Sequence, residues 1–360
     1  MINLQTPLEV ILKDESLIET RIEPVSIPEK KIRYLCIDVF RGLTIAAMIF
    51  VNTLAMFDKT PAWTKHAVDF GLTYVDLVAP FFIFAIALTY KMSFSRYLKT
   101  EGAIKTYTRF IRRYGAFIGF GMLGSIYLTP EGFGFDWGVL QAIGLAGILT
   151  VFFIQLPRIY RFIIGFVLLE VYQFTIGLSV DIEGTIITIS DLGFNDGHGG
   201  FVGGIGYGAM MLLSTAIVDD FRKINKWELL IFGFTFSALG TALHFIWFYL
   251  GFPAYGGLSK LRVTHSYVLL SVGLASILFW IIWYLYDNRK ITKEKSYFLE
   301  PQGKNAFFLY IIQAAFLGLT LLYLRRDTHL ALVFLGAFIN VFLIWALGYI
   351  MDKKKIYIII

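Results

Sequence analysis

His66–Phe84 reads HAVDFGLTYVDLVAPFFIF: a histidine and two aspartates run directly into one of the most apolar stretches of the chain. Lipid offers polar groups no hydrogen-bond partners, so a carboxylate at the edge of such a run needs a reason to be there. The apolar stretch continues to about residue 92, which is enough for the roughly 20 helical residues that cross a bilayer. Asp76 stands four residues before Pro80. A proline has no N–H to give, so the carbonyl one turn back, that of Asp76 itself, is left free.

The same signature runs outward through the whole sequence. Hydrophobic residues make up 57% and charged residues 16%, against about 25% charged in soluble domains. Candidate spans fall at 36–57, 72–92, 111–128, 138–156, 159–178, 200–217, 227–250, 265–286, 303–323 and 329–351. The expected fold class is therefore all-α: a polytopic integral membrane helix bundle of about ten transmembrane helices. Of the 32 Lys and Arg, 25 lie in inner segments or the inner ends of spans and 6 in outer loops, with Arg41 inside the first span. That asymmetry places both termini in the cytoplasm. Residues 1–32 mix charges around Pro24 and Pro28 without a positive start and apolar core, so a cytoplasmic tail is expected ahead of one membrane domain over 33–360. The net charge of +6 then reflects loop cations that set orientation, and no nucleic-acid partner is implied. A single cysteine, Cys36, excludes an intramolecular disulfide, and no metal site is predicted.

On this map His66, His198, His244, His265 and His329 all fall at outer ends of spans or in outer loops. In GGFVGGIGYGAMM (199–211), Gly200, Gly204 and Gly208 recur every four residues, the spacing that lets membrane helices pack closely. Asp38 and Arg41 lie three apart at the inner end of the first span, either an ion pair that fixes helix depth or part of a polar face. Asn52 follows Arg41 by eleven residues, about three turns, and so shares roughly that face near the outer end. Such a helix suits a cavity wall better than a lipid contact. His66 precedes Asp76 by ten residues; a histidine is the natural base near neutral pH and a carboxylate can fix its tautomer. Spacing alone also allows two solvated interface residues. Glu170 sits deep in the fifth span, where functional and structural readings both stand open. His198 in NDGHGG reads as a loop histidine, because it and Asp196 alone do not make a metal site. Lys290, Lys293 and Lys295 mark the cytoplasmic side.

The pattern DVFRGLTIAAMIFVN (38–52), followed by a loop with HAVDFGLTYVDLVAPFFIF (66–84), resembles the transmembrane N-acetyltransferase family typified by heparan-α-glucosaminide N-acetyltransferase. WGVLQAIGL (137–145), LSKLRVTHSYVL (258–269), GKNAFFLY (303–310) and the terminal GYIMDKKKIYI extend the resemblance in order. It implies a catalytic set of His66, Asn52 and Asp76. Contacts to substrate or coenzyme A are expected from Arg41, Gln141, Lys260 and Ser266, and, by their place on the inner side where the phosphates of a cytosolic donor would lie, from Arg112 and Arg113, with Lys304 and Asn305 nearby. Two positions depart from the pattern: Asp69 stands where an aromatic is common, and Ala142 where an arginine usually follows the glutamine.

The resemblance therefore implies a membrane acyltransferase that moves acetyl from cytosolic acetyl-CoA to an amine or hydroxyl of a carbohydrate near the outer face. The expected location is the cell membrane, with lipid as surroundings and a homodimer as an admitted assembly. A proton-coupled transporter of a small solute is the rival from another class; it would explain Glu170 and the Gly-rich spans, though no inverted repeat is evident. A non-catalytic scaffold would explain the packing glycines but not the Asn52, His66 and Asp76 grouping. No serine or cysteine sits in a nucleophile turn, which argues against a protease.

Overall fold

The computed structural model describes residues 33–129, 132–182, 185–188, 197–252, 256–291 and 298–358. The expected tail 1–32, Asp196, Lys293 and Lys295 lie outside the described residues. Among the described residues eleven α-helices follow in order: α1 Leu35–Ala55, α2 Val78–Glu101, α3 Ala103–Gly124, α4 Val139–Phe153, α5 Arg158–Gly177, α6 Gly200–Val218, α7 Lys226–Tyr249, α8 His265–Trp283, α9 Glu300–Lys304, α10 Ala306–Tyr323 and α11 Leu330–Lys353. The protein is an all-α polytopic membrane bundle. Among the described residues eight helices are long and apolar enough to cross a membrane.

The remaining two expected spans are helices of a different kind. α3 starts eight residues earlier than expected, because Ala103–Phe110 winds into helix through Lys105 and Arg109 before the apolar part begins. α4 is apolar but only 15 residues long. The ninth expected span divides at Asn305, where φ leaves the helical region, into the short α9 and the spanning α10. Two antiparallel hairpins, β1 Ile126–Thr129 with β2 Gly132–Phe135 and β3 Ser179–Ile182 with β4 Thr185–Thr188, join α3 to α4 and follow α5. Both lie in connections that the charge distribution assigns to the outer side.

α6 is the central helix, with 83% of its apolar window buried, while α10 has 11% and both α7 and α11 have 22%. Its glycines explain how it fits. A Cβ on Gly204 would enter the Leu145 side chain, and one on Gly208 would meet Leu149 at 3.0 Å, so the four-residue glycine row is the seat for α4. At its C-terminus the last carbonyls have no partner within the helix. Arg158 Nε donates to Ala216 O at 2.8 Å and Nη2 to Ile217 O at 3.1 Å, while Arg161 Nη1 donates to Thr215 O at 2.6 Å. Two cations at the negative end of a helix also answer its dipole. Arg161 and Lys91 both pair with Asp219 just beyond α6. Cations that orient the chain in the membrane thus also lock α5 and α2 onto α6.

At the same end α9 presses into α1. A Cβ on Gly42 would fall within the carbonyl of Leu299, and one on Gly303 within that of Asp38. Backbone cannot step aside as a flexible side chain can, so Gly42→Ala should destabilise the protein by about 1–3 kcal/mol. Gly119, on the exposed face of α3 with nothing within 4 Å, is the control: Gly119→Ala should be neutral or mildly stabilising through helix propensity. Thermal unfolding in detergent compares the two. Equal melting would show that α9 does not press on α1 as described.

Candidate active site

The connection from α1 to α2 is built around Asp76. It contains two 3₁₀ turns, Ala62–Thr64 and Tyr74–Leu77. Thr73 and Asp76 form a reciprocal cap at the second turn, the device that satisfies N–H groups left open at a helix start. Asp76 Oδ2 accepts from Thr73 N at 2.9 Å and from Ala67 N at 3.3 Å. Oδ1 takes His66 Nδ1 at 2.7 Å. The Asp76 side chain is fully buried, whereas that of His66 is 45% exposed. A carboxylate surrounded by N–H donors is held as the anion and can only accept. The proton of the imidazole therefore sits on Nδ1, and Nε2 presents its lone pair outward. The carbonyl of Asp76, freed by Pro80, is not orphaned either: Tyr267 Oη, from α8, donates to it at 2.7 Å.

A second loop, residues 256–264 ahead of α8, closes over the first. Asp69 receives Arg262 Nε at 3.1 Å and Nη2 at 3.0 Å, and the Ser259 hydroxyl at 2.9 Å. Gly71 N donates to Leu258 O at 2.9 Å, and the Arg262 guanidinium stands over the Phe70 ring at 5.4 Å. Asp69 replaces an aromatic of the expected pattern, and here a forked charge-assisted bond does the work of joining the loops. The closure brings Lys260 into the field of Asp76. Burial pushes the Lys260 ammonium down to about 8, with the Asp76 carboxylate pulling the other way.

His198 arrives from a third direction. It occupies the 3₁₀ turn Gly197–Gly199 with φ at 63°, and its Nδ1 lies 2.7 Å from the Tyr207 hydroxyl. Burial, with added repulsion from Lys260 and His66, pushes it well below the ordinary histidine range. It is a loop histidine, as expected, and a neutral imidazole in the neighbourhood of His66. The one sequence signal for this is its glycine flank, which gives the turn room in the left-handed region.

The other expected site residues are dispersed. Asn52 is half-buried near the outer end of α1 and has no hydrogen-bond partner among the described residues. Arg41 Nη2 donates to Thr89 Oγ1 on α2 at 2.5 Å. On α3, Arg112 is exposed, and Arg113 lies half-buried over the Tyr114 ring at 5.8 Å with its Nε unbonded. Gln141 ties the outer ends of α3 and α4 together, donating to Ser125 Oγ at 2.9 Å and to Asp136 O at 3.3 Å. The Ser266 hydroxyl donates to Gly256 O. Lys304 is held between Glu300 at 2.7 Å and Asp352 at 2.8 Å. Asn305 anchors the C-terminal segment, donating to Ile356 O and accepting from Ile358 N. Glu170, about two turns below the outer end of α5, pairs with His265 Nδ1 at the start of α8 at 3.2 Å.

Residues 33–194 match the family model described as heparan-alpha-glucosaminide N-acetyltransferase, catalytic. Over those residues the chain is similar to the heparan-α-glucosaminide N-acetyltransferase family. The matched segment includes Asn52, His66 and Asp76 and stops short of His198 and Lys260. No curated protein matches the chain.

The loop closure is open to direct test. Asp69→Asn keeps the shape but removes the charge that holds Arg262, so amide exchange across 66–72 should quicken by an order of magnitude or more. Hydrogen exchange read by mass spectrometry on purified protein measures it, and an unchanged rate would mean that loop 256–264 does not pin the histidine loop.

Proposed function

We propose that this membrane N-acetyltransferase-like protein transfers the acetyl group of acetyl-CoA to an amine or hydroxyl of a sugar at the outer end of the bundle, with His66 as the base. The observation that carries this reading is the 2.7 Å bond from His66 Nδ1 to a fully buried Asp76, with Nε2 left unengaged. In that role Nε2 takes the proton of the attacking nitrogen or oxygen. The acceptor atom bonds to the thioester carbonyl carbon, whose oxygen becomes negative. The carbon–sulfur bond then breaks and the proton passes from His66 to the thiolate. The Asn52 amide and the Lys260 ammonium are the groups proposed to face the developing negative oxygen.

Acetyl-CoA is cytosolic, so the donor would enter from the inner side with its phosphates toward cations there. Lys304 is already matched by two carboxylates. Arg112 and Arg113, at the inner part of α3, are better placed to offer charge, and arginine's fork suits phosphate. Glu170 has a histidine partner away from His66, which weakens the ground for a proton-coupled transporter.

Four variants and one pH profile test this in vesicles. His66→Ala should lower turnover ~10²–10⁴-fold, and Asn52→Asp should lower it ~10²-fold or more with donor binding little changed. Glu170→Gln should keep most activity. The Lys260 charge is present below about pH 8 and lost above it, so activity should fall as pH rises through about 8. Lys260→Arg, which keeps its charge, should move that limb upward. Undiminished transfer by His66→Ala would remove the proposal, and a Glu170→Gln variant that stops solute uptake would favour the transporter.

A further inference from the structure

Glu170 lies on the outward face of α5, in line with Ile163, Val167, Val171 and Phe174, each at least half exposed. Its own side chain is 56% exposed. An ionised carboxylate on such a membrane-facing stripe requires a counter-charge. The histidine beside it does not supply one. The indole N–H of Trp247 donates to His265 Nε2 at 3.0 Å, and an indole nitrogen can only donate. Nε2 is therefore an acceptor, the single ring proton is on Nδ1, and His265 is neutral as it donates to both oxygens of Glu170 at 3.2 Å. Gln173 Oε1 accepts His265 N at 2.9 Å, and His265 is almost wholly buried, so the ring cannot turn to another arrangement without losing these bonds. His265 thus brings no positive charge to the carboxylate. Among the described residues no Lys or Arg side chain pairs with Glu170.

We propose that Glu170, held by His265 and Trp247, binds the primary ammonium head group of an outer-leaflet phospholipid whose chains lie along the apolar face of α5. The chemistry of recognition is a carboxylate whose exposed lone pairs accept N–H bonds from the cation. A quaternary ammonium has no N–H to give, and an anionic head group is repelled, so the site separates lipids by head group. The charge sits about two turns below the outer end of α5, within reach of a head group drawn down by the pairing. Phe245, Phe248 and Tyr249, at the outer end of α7, are exposed at the same end, as aromatic side chains at a membrane interface commonly are. The site stands apart from acetyl transfer and does not depend on that reading.

Native mass spectrometry of the full chain, released from vesicles of equal phosphatidylcholine, phosphatidylethanolamine and phosphatidylglycerol, reads the selectivity directly. Wild type should retain phosphatidylethanolamine at least several-fold over the other two. Glu170→Gln, which keeps the bond from His265 but not the charge, should lose that preference, and Glu170→Asp should keep part of it. The proposal is overturned if both Glu170 variants retain the same lipids as wild type. It is equally overturned if wild type prefers phosphatidylglycerol, or if cross-linking through positions 167 and 171 shows a second copy of the chain covering this face.

Discussion

Asp76 is the residue on which the outer half of the molecule depends, because it is used twice. Its carboxylate receives His66, Thr73 and Ala67, and its carbonyl receives Tyr267. The first set turns a ten-residue loop into a fixed frame for one imidazole. The second fixes that frame to α8, which starts 189 positions further along (265 less 76). Pro80 makes the double use available, since an ordinary residue there would occupy the carbonyl with its own N–H. A buried carboxylate with this many donors has its desolvation offset by bonds that hold one geometry.

Around this point the bundle is arranged as a braced inner end and a composite outer end. The inner end is locked by cations on helix carbonyls and by the glycine contact between α1 and α9. The outer end is assembled from separate loops: the one carrying His66, the one carrying Lys260 and the turn carrying His198. Asp69 and Arg262 join the first two across 193 residues of sequence. Positive charge from Lys260 and two histidines then share one neighbourhood with a single buried carboxylate. That combination favours chemistry in which negative charge appears briefly on a bound reactant.

How much of this could be read from the residues depends on distance along the chain. The ten expected spans follow from apolar runs, eight of them matching helices long and apolar enough to cross a membrane, and the His66, Asp76 and Pro80 relation is local enough to be inferred from spacing. The freed carbonyl was predictable, though not its partner Tyr267. Long-range pairings were hidden: Asp69 looked like a departure from a pattern and is a loop tie, while Lys304 looked like a phosphate contact and is already held by Glu300 and Asp352. His198 was hidden for the same reason, since nothing in NDGHGG says which way the ring turns. The depth of Glu170 in its helix follows from the apolar run, whereas its pairing with His265 is another long-range contact that the residues do not announce.

The central proposal is that an acetyl group passes from a donor on the inner side to an acceptor on the outer side, with His66 as the base. It is tested most directly by purified protein in sealed vesicles of known orientation, with labelled acetyl-CoA in the compartment facing the termini and a panel of amino sugars and neutral sugars in the other. The account predicts labelled acceptor across the membrane for the wild type and none above background for His66→Ala. Label appearing only when donor and acceptor share a compartment, or equal transfer by both proteins, would contradict it.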